Sequence, residues 1–206
     1  MPKTIAFVLF DGAEELDFAG PWEVFGVVAA MKPDECQVFT VSEKGGQVRC
    51  ANGLRVVVDH SFADAPVADI VIVPGGQGTR VEMDNPAMLD YLRNAARTAD
   101  YTTSVCTGAL VLANAGLLEG KKATTWWGMR EQLGKLGDIE VVEDTRFVDQ
   151  SPIITAAGVS AGIDMALFLA GKLWGPEQAR LIQKYIEYFP DPPYADVPIP
   201  EPAALA

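Results

Sequence analysis

Tyr101-Thr102-Thr103-Ser104-Val105-Cys106-Thr107-Gly108-Ala109-Leu110-Val111-Leu112-Ala113 changes character at its middle. Tyr101 to Val105 is bulky and β-branched, as in a short buried strand, whereas Ala109 to Leu118 is apolar and mostly unbranched, as in a buried helix. Cys106 therefore falls at the turn between strand and helix. Such a turn is sharp, and Gly108 lets the chain fold back closely behind the cysteine. The thiol then faces the start of the next helix, where free N–H groups and the helix dipole favour a thiolate. A plainer reading stands beside this one, because free cysteine is among the most buried residue types and Cys106 can be inert core.

Outward from the elbow, strand-like and helix-like segments alternate. Thr4 to Phe10 is a continuous apolar run, as expected of a parallel strand covered on both faces. A loop from Asp11 to Gly20 follows, with Pro21 at the first position of a helix over Trp22 to Met31. Residues 36–42 form a second strand, and Gln47 to Val58 is a hairpin around Asn52-Gly53. Asp69 to Val73 is a further strand, running into Pro74-Gly75-Gly76. Asn85 caps a helix that starts at Pro86 and presents Leu89, Leu92 and Ala96 on one face.

Beyond the elbow helix, which closes at Gly120, Trp126-Trp127 precede a helix from about Gly128 to Leu136. Ile139 to Val142, Arg146 to Asp149 and Ile153 to Thr155 are short strands, and Ala161 to Trp174 and Glu177 to Tyr188 are helices. The tail from about residue 190 is too rich in proline to stay helical. The pattern predicts one doubly wound α/β domain over residues 1–206, with a mostly parallel sheet and helices on both faces.

Composition narrows the function. The 206 residues are 49% hydrophobic and 21% charged, with a net charge of -12 and no basic cluster, which disfavours nucleic acid as a partner. The apolar run after Met1-Pro2-Lys3 is too short for a signal sequence or a membrane span, so no membrane association and a cytoplasmic location are expected. Three cysteines without CxxC spacing fit reduced thiols and give no zinc pattern, so no metal is expected. Cys36 and Cys50 read as structural, and the only histidine, His60, reads as an exposed loop residue.

If the strands are parallel, the loops holding Asp17, Gly75-Gly76, Cys106 and Ala157-Gly158-Val159 gather at one sheet edge, where ligands bind in open α/β folds. Cys106 is then a nucleophile, with the backbone N–H groups of Gly76 and Thr107 placed to stabilise developing negative charge. Asp17, between Leu16 and Phe18, is expected to have a raised pKa and to donate a proton, although an Asx-type turn or helix cap explains it as well. Glu14 and Glu15 read as solvated charges, and Trp126 either walls the pocket or belongs to the core.

With these residues in view, the chain resembles the ThiJ/PfpI cysteine superfamily and, more narrowly, its isocyanide hydratase group. The likeness is carried by Leu16-Asp17-Phe18-Ala19-Gly20-Pro21, Thr103-Ser104-Val105-Cys106-Thr107-Gly108, Ala115-Gly116-Leu117-Leu118 and Ala161-Gly162-Ile163-Asp164, within a span from Thr4 to about Tyr194. The resemblance implies a flavodoxin-like, class I glutamine amidotransferase-like fold and a homodimer. It also implies hydration of an isocyanide to an N-substituted formamide, with no metal or organic cofactor. By position it makes Cys106 the nucleophile and Asp17 its acid–base partner, with Thr107 beside the thiol and Ala157, Gly158 and Val159 lining the pocket.

Many relatives carry a histidine after the elbow helix where this chain has Thr124-Thr125-Trp126, so a Cys-His hydrolase is not expected. A glyoxalase-like or amidase-like enzyme on the same scaffold is one alternative. A non-catalytic ligand-sensing domain, like those in helix-turn-helix regulators, is the other.

Overall fold

Alternation inside the N-terminal apolar run sets up both halves of the core. In β1 (Lys3–Val8) and the residues after it, Ile5, Phe7 and Leu9 point to one face of the sheet, and Ala6, Val8 and Phe10 point to the other. Both sets are buried, so helices must cover the strand on each side. The computed structural model of the chain describes residues 2–193, 195 and 197–199. Part of the proline-rich tail, including Pro200 and Pro202, lies outside the described residues.

After β1 come α1 (Glu15–Met31), β2 (Cys36–Ser42) and an antiparallel hairpin of β3 (Gly46–Arg49) and β4 (Arg55–Val58). β5 (His60–Ser61), β6 (Ile70–Val73), α2 (Thr79–Glu82) and α3 (Pro86–Ala95) lead to β7 (Tyr101–Val105) and α4 (Gly108–Asn114). β8 (Lys121–Ala123), a 3-10 turn at Trp127–Met129, α5 (Arg130–Gly134) and β9 (Ile139–Val141) form a small excursion in which β8 pairs with β9. The chain then returns through β10 (Phe147–Gln150), β11 (Ile153–Ala156), α6 (Ala161–Trp174) and α7 (Pro176–Tyr185).

Seven strands make the main sheet in the order β10-β11-β7-β6-β1-β2-β5, with every pairing parallel except β10 with β11. This is a doubly wound α/β fold of the flavodoxin-like, class I glutamine amidotransferase-like kind. Phe25 and Val28 of α1, Met165 and Leu169 of α6 and Ile182 of α7 fill one face. Met88 and Leu92 of α3, Leu110 and Leu112 of α4 and Leu133 of α5 fill the other. The order reverses at β1, so the loops after β1 and β6 leave the sheet side by side and open a crevice at its carboxyl edge.

Several boundaries differ from the sequence reading. Helix α1 begins at Glu15 rather than at Pro21, and Pro21 sits inside it. Proline has no N–H for the carbonyl of Asp17, a cost that the packing of α1 on α6 and of Trp22 edge-on to Phe7 at 5.0 Å overrides. The elbow helix stops at Asn114 instead of Leu118. Gly116, at φ 78, closes it in a Schellman arrangement, with Leu117 N–H donating to Leu112 at 3.0 Å and Gly116 N–H to Ala113 at 2.8 Å. The expected helix from Gly128 to Leu136 is a 3-10 turn and one short helix, and α7 ends at Tyr185. His60 is half-buried in β5 rather than exposed in a loop, its ring edge-on to Phe39.

Candidate active site

Cys106 takes a left-handed backbone, φ 56, in the turn between β7 and α4. A residue with a Cβ reaches this conformation only at some cost, so its surroundings must hold it there. They do so through the main chain: Cys106 N–H donates to the carbonyl of Ala157 at 2.9 Å and of Ala156 at 3.2 Å, and its carbonyl accepts from Thr125 Oγ1 at 2.7 Å. Behind it the chain passes so close that a Cβ on Gly108 would stand 2.3 Å from the carbonyl oxygen of Val73. The elbow is fixed between two neighbouring strands.

Asp17 belongs to the first turn of α1 and is fully buried, so it is neither an Asx turn nor an exposed cap. Its Oδ2 accepts the backbone N–H of Gly75 at 2.7 Å, which ties α1 to the loop after β6. The Cys106 thiol and the Val159 N–H lie near the carboxyl and favour its anion, yet Oδ1 has no hydrogen-bond partner among the described residues. Burial, reinforced by the nearby charge of Glu14, pushes Asp17 up to about 7.

The thiol does not match the expectation of a low pKa. Burial first, and then the charge of Asp17, push Cys106 up to about 12, against the opposing influence of the Thr107 and Val159 N–H groups and the Thr107 hydroxyl. Cys36 rises to about 12 and Cys50 to about 11, both chiefly through burial. What distinguishes Cys106 is its setting: it lines a cleft of about 360 Å³ and stands against a carboxyl that titrates near neutrality.

Of the residues expected to bind substrate, Gly76, Thr107, Trp126 and Val159 line the same cleft as Cys106. Trp126 both lines the cleft and packs against the core, its ring 4.9 Å from that of Trp127. Ala157 and Gly158 line a neighbouring cleft that shares Trp126 and Val159 with the first. Gly158 lies directly beneath the Trp126 indole, and Ala157 serves the elbow through its carbonyl. The Gly76 N–H is also reassigned, because it donates to Thr107 Oγ1 at 2.9 Å and does not point free into the cleft.

Glu14, Asn52, Gln77 and Arg80 complete the lining and were missed. Glu14 and Glu15 are structural as well as charged: Glu15 accepts from the Asn52 backbone at 2.8 Å and side chain at 2.7 Å, and Glu14 accepts from the same side chain at 3.2 Å. Asn52 looked like a turn residue and nothing more. Its bond to the start of α1 is a contact between distant segments, which local sequence does not display.

A cysteine at a strand–helix elbow near a buried carboxyl, at the switch point of such a sheet, can be compared with known proteins. The DJ-1/PfpI family model matches residues 3–171. This chain belongs to the DJ-1/PfpI family. It is 42% identical over 194 residues to the isonitrile hydratase of Pseudomonas putida, covering 94% of this chain and 82% of that one. It is 29% identical to the helix-turn-helix transcriptional regulator CdhR of Pseudomonas aeruginosa, over 87% of this chain but only 53% of the regulator. Among solved structures, a ThiJ/PfpI family protein from Pseudomonas syringae superposes with a TM-score of 0.87 at 32% identity, covering 95% of this chain and 78% of that one. Among the described residues, no helix of this family member is long and apolar enough to cross a membrane.

Proposed function

We propose that the chain is an isocyanide hydratase, a lyase that converts a small apolar isocyanide and water to an N-substituted formamide. The observation that carries the reading is the Cys106–Asp17 pair, a cleft-lining thiol beside a buried carboxyl that titrates near neutrality. The 42% identity to an isonitrile hydratase supports it.

The chemistry follows from the pair. Cys106 sulfur bonds to the terminal isocyanide carbon while Asp17 takes the thiol proton and delivers it to that same carbon, giving an enzyme-bound thioimidate. Water then adds its oxygen to the carbon and a proton to nitrogen. Collapse forms the formamide C=O, breaks the C–S bond and returns the hydroxyl proton to sulfur through Asp17. No electrons are exchanged, and thiol and carboxyl supply every function, so the proposed reaction uses no metal or organic cofactor. Thr107 and Val159 N–H groups face the sulfur that carries the charge, and Trp126 offers an aromatic surface to the substituent.

Incubation with an aromatic isocyanide should produce the formamide at a rate proportional to protein. The sensor reading keeps a place because the chain also resembles about half of the regulator CdhR. Stoichiometric binding of an apolar ligand by a wild-type protein with no hydration would favour it. We further propose a cytoplasmic homodimer, the commonest closed assembly.

A further inference from the structure

Two residues that carry a Cβ and line the thiol's cleft take the left-handed backbone, Cys106 at φ 56 and Val159 at φ 46. For a β-branched residue such as Val159 this conformation is an outlier, so the surrounding chain must hold it. The two share one frame. Cys106 N–H donates to Ala157 O at 2.9 Å, and Ala157 N–H donates in turn to Arg146 O at 2.9 Å. The backbone of Arg146 thus fixes the start of the loop 157–160 that fixes the elbow.

The side chain of the same arginine holds the other end of that loop. Its Nη2 donates to Ser160 Oγ at 3.0 Å, and its Nε and Nη2 donate to Asp164 Oδ2 in the first turn of α6 at 2.8 and 2.6 Å. Ser160 stands at the N-cap of α6, yet its hydroxyl caps no helix N–H and is left to Arg146. The Tyr188 hydroxyl lies 3.2 Å from the same Asp164 oxygen. Arg146 and Asp164 therefore belong to a network, whereas an isolated ion pair at the surface would be worth little.

We propose that Arg146 is a positioning residue, whose carbonyl and guanidinium clamp the loop 157–160 at both ends and so keep Cys106 in its left-handed conformation with Val159 against the cleft. The second acceptor of the Cys106 N–H, Ala156 O at 3.2 Å, belongs to β11 and does not depend on the guanidinium, so loss of the clamp loosens the elbow without releasing it. The inference rests on the proposed function only in giving Cys106 the central role, and its test needs no hydratase activity.

The experiment reads hydrogen exchange of the Ala157 and Cys106 amides by NMR, together with alkylation of Cys106 by iodoacetamide mapped by mass. Arg146→Met keeps the carbonyl at that position and removes only the guanidinium. Both amides should exchange roughly threefold to tenfold faster, the scale of one networked ion pair with its hydroxyl bond, and alkylation should quicken as the Val159 wall loosens. Arg146→Lys, which can still pair with Asp164, should recover part of the protection. Lys3→Met is the matched control, because it breaks the Lys3 pairs with Asp69 and Asp100 at the start of β1 and leaves the loop untouched. It should leave both readouts at the wild-type level. Asp164→Ala should give part of the effect, and combined with Arg146→Met no more than Arg146→Met alone. Should Arg146→Met not fold, Asp164→Ala and Ser160→Ala cut the same clamp from its other side. Wild-type exchange or no gain in alkylation in Arg146→Met, equal changes in Lys3→Met, or a double variant accelerated by the product of the single effects overturns the proposal.

Discussion

Gly75 and Asp17, separated by 58 positions in sequence, are joined by a 2.7 Å hydrogen bond from a backbone N–H to a buried carboxyl oxygen. That donor favours the carboxylate, while the surrounding burial favours the acid more strongly and sets the titration near neutrality. Asp17→Asn preserves the shape but transfers no proton. Hydration should fall by roughly 10²-fold or more, the usual worth of a positioned acid–base group. Asp17→Glu should retain part of the rate and Cys106→Ala none, as measured by formamide formation. A folded Asp17→Asn protein working at wild-type speed removes Asp17 from the mechanism.

The same substitution should act in the opposite sense on the thiol. The charge of Asp17 raises the Cys106 pKa, so removing it lowers that pKa and increases the thiolate present at neutral pH. Alkylation of Cys106 in Asp17→Asn should accelerate, by about tenfold for each unit the pKa falls. Cys36 and Cys50, buried and not part of the cleft that Cys106 lines, should stay slow in both proteins. Equal labelling of all three cysteines contradicts the special setting assigned to Cys106.

Stability should carry the mark of Asp17 as well. Its folded pKa of about 7 lies above the ordinary 3.8, so the native state binds this proton more tightly than the unfolded chain. The contribution is fully present below about pH 4 and is lost as pH rises through about 7, a change on the order of 4 kcal/mol. Asp17→Asn should therefore be more stable than the wild type at pH 8, and the advantage should vanish near pH 4. Urea titrations at both pH values measure it, and equal differences at the two would refute the link.

Trp126→Ala removes the wall between the two clefts. The KM for an aromatic isocyanide should rise roughly threefold to tenfold, the scale of one aromatic contact, with a smaller change for a short alkyl isocyanide. An equal change for both would make Trp126 a structural residue.

For the assembly, light scattering at micromolar concentration should give twice the 22.1 kDa chain mass. A monomer under those conditions is incompatible with the proposed dimer.

Much of the architecture was legible because parallel strands buried on both faces leave unbroken apolar runs, such as Ile70 to Val73, and because Asn85-Pro86 and Asn52-Gly53 carry local chemistry. Ala161–Trp174 was read to the residue. Pro21 misled because its penalty is local, whereas the packing of α1 on α6 that overrides it is not. Cys106 and Asp17 stood out by their position after strands, and the apolar neighbours Leu16 and Phe18 pointed to the raised pKa of Asp17, whereas the raised pKa of Cys106 was not legible, since desolvation depends on everything folded around it. Arg80 and Asn52 had no local signal, and only the folded chain brings them to the thiol's cleft.

The hairpin of β3 and β4 stands apart from the main sheet and meets the cleft through Asn52, which Glu14 and Glu15 grip from the start of α1. The thiol and its carboxyl are held by β7, Thr125, the loops after β6 and β11, and α1, and the hairpin joins that framework through Arg49, Ala51 and Asn52. On the proposed function, the cleft's entrance and the Cys106–Asp17 pair rest on different segments that meet at those few contacts. Changing the ribbon beyond those contacts would reshape the entrance and leave Cys106 and Asp17 where they stand, whereas cutting the contacts would loosen the start of the helix that carries Asp17.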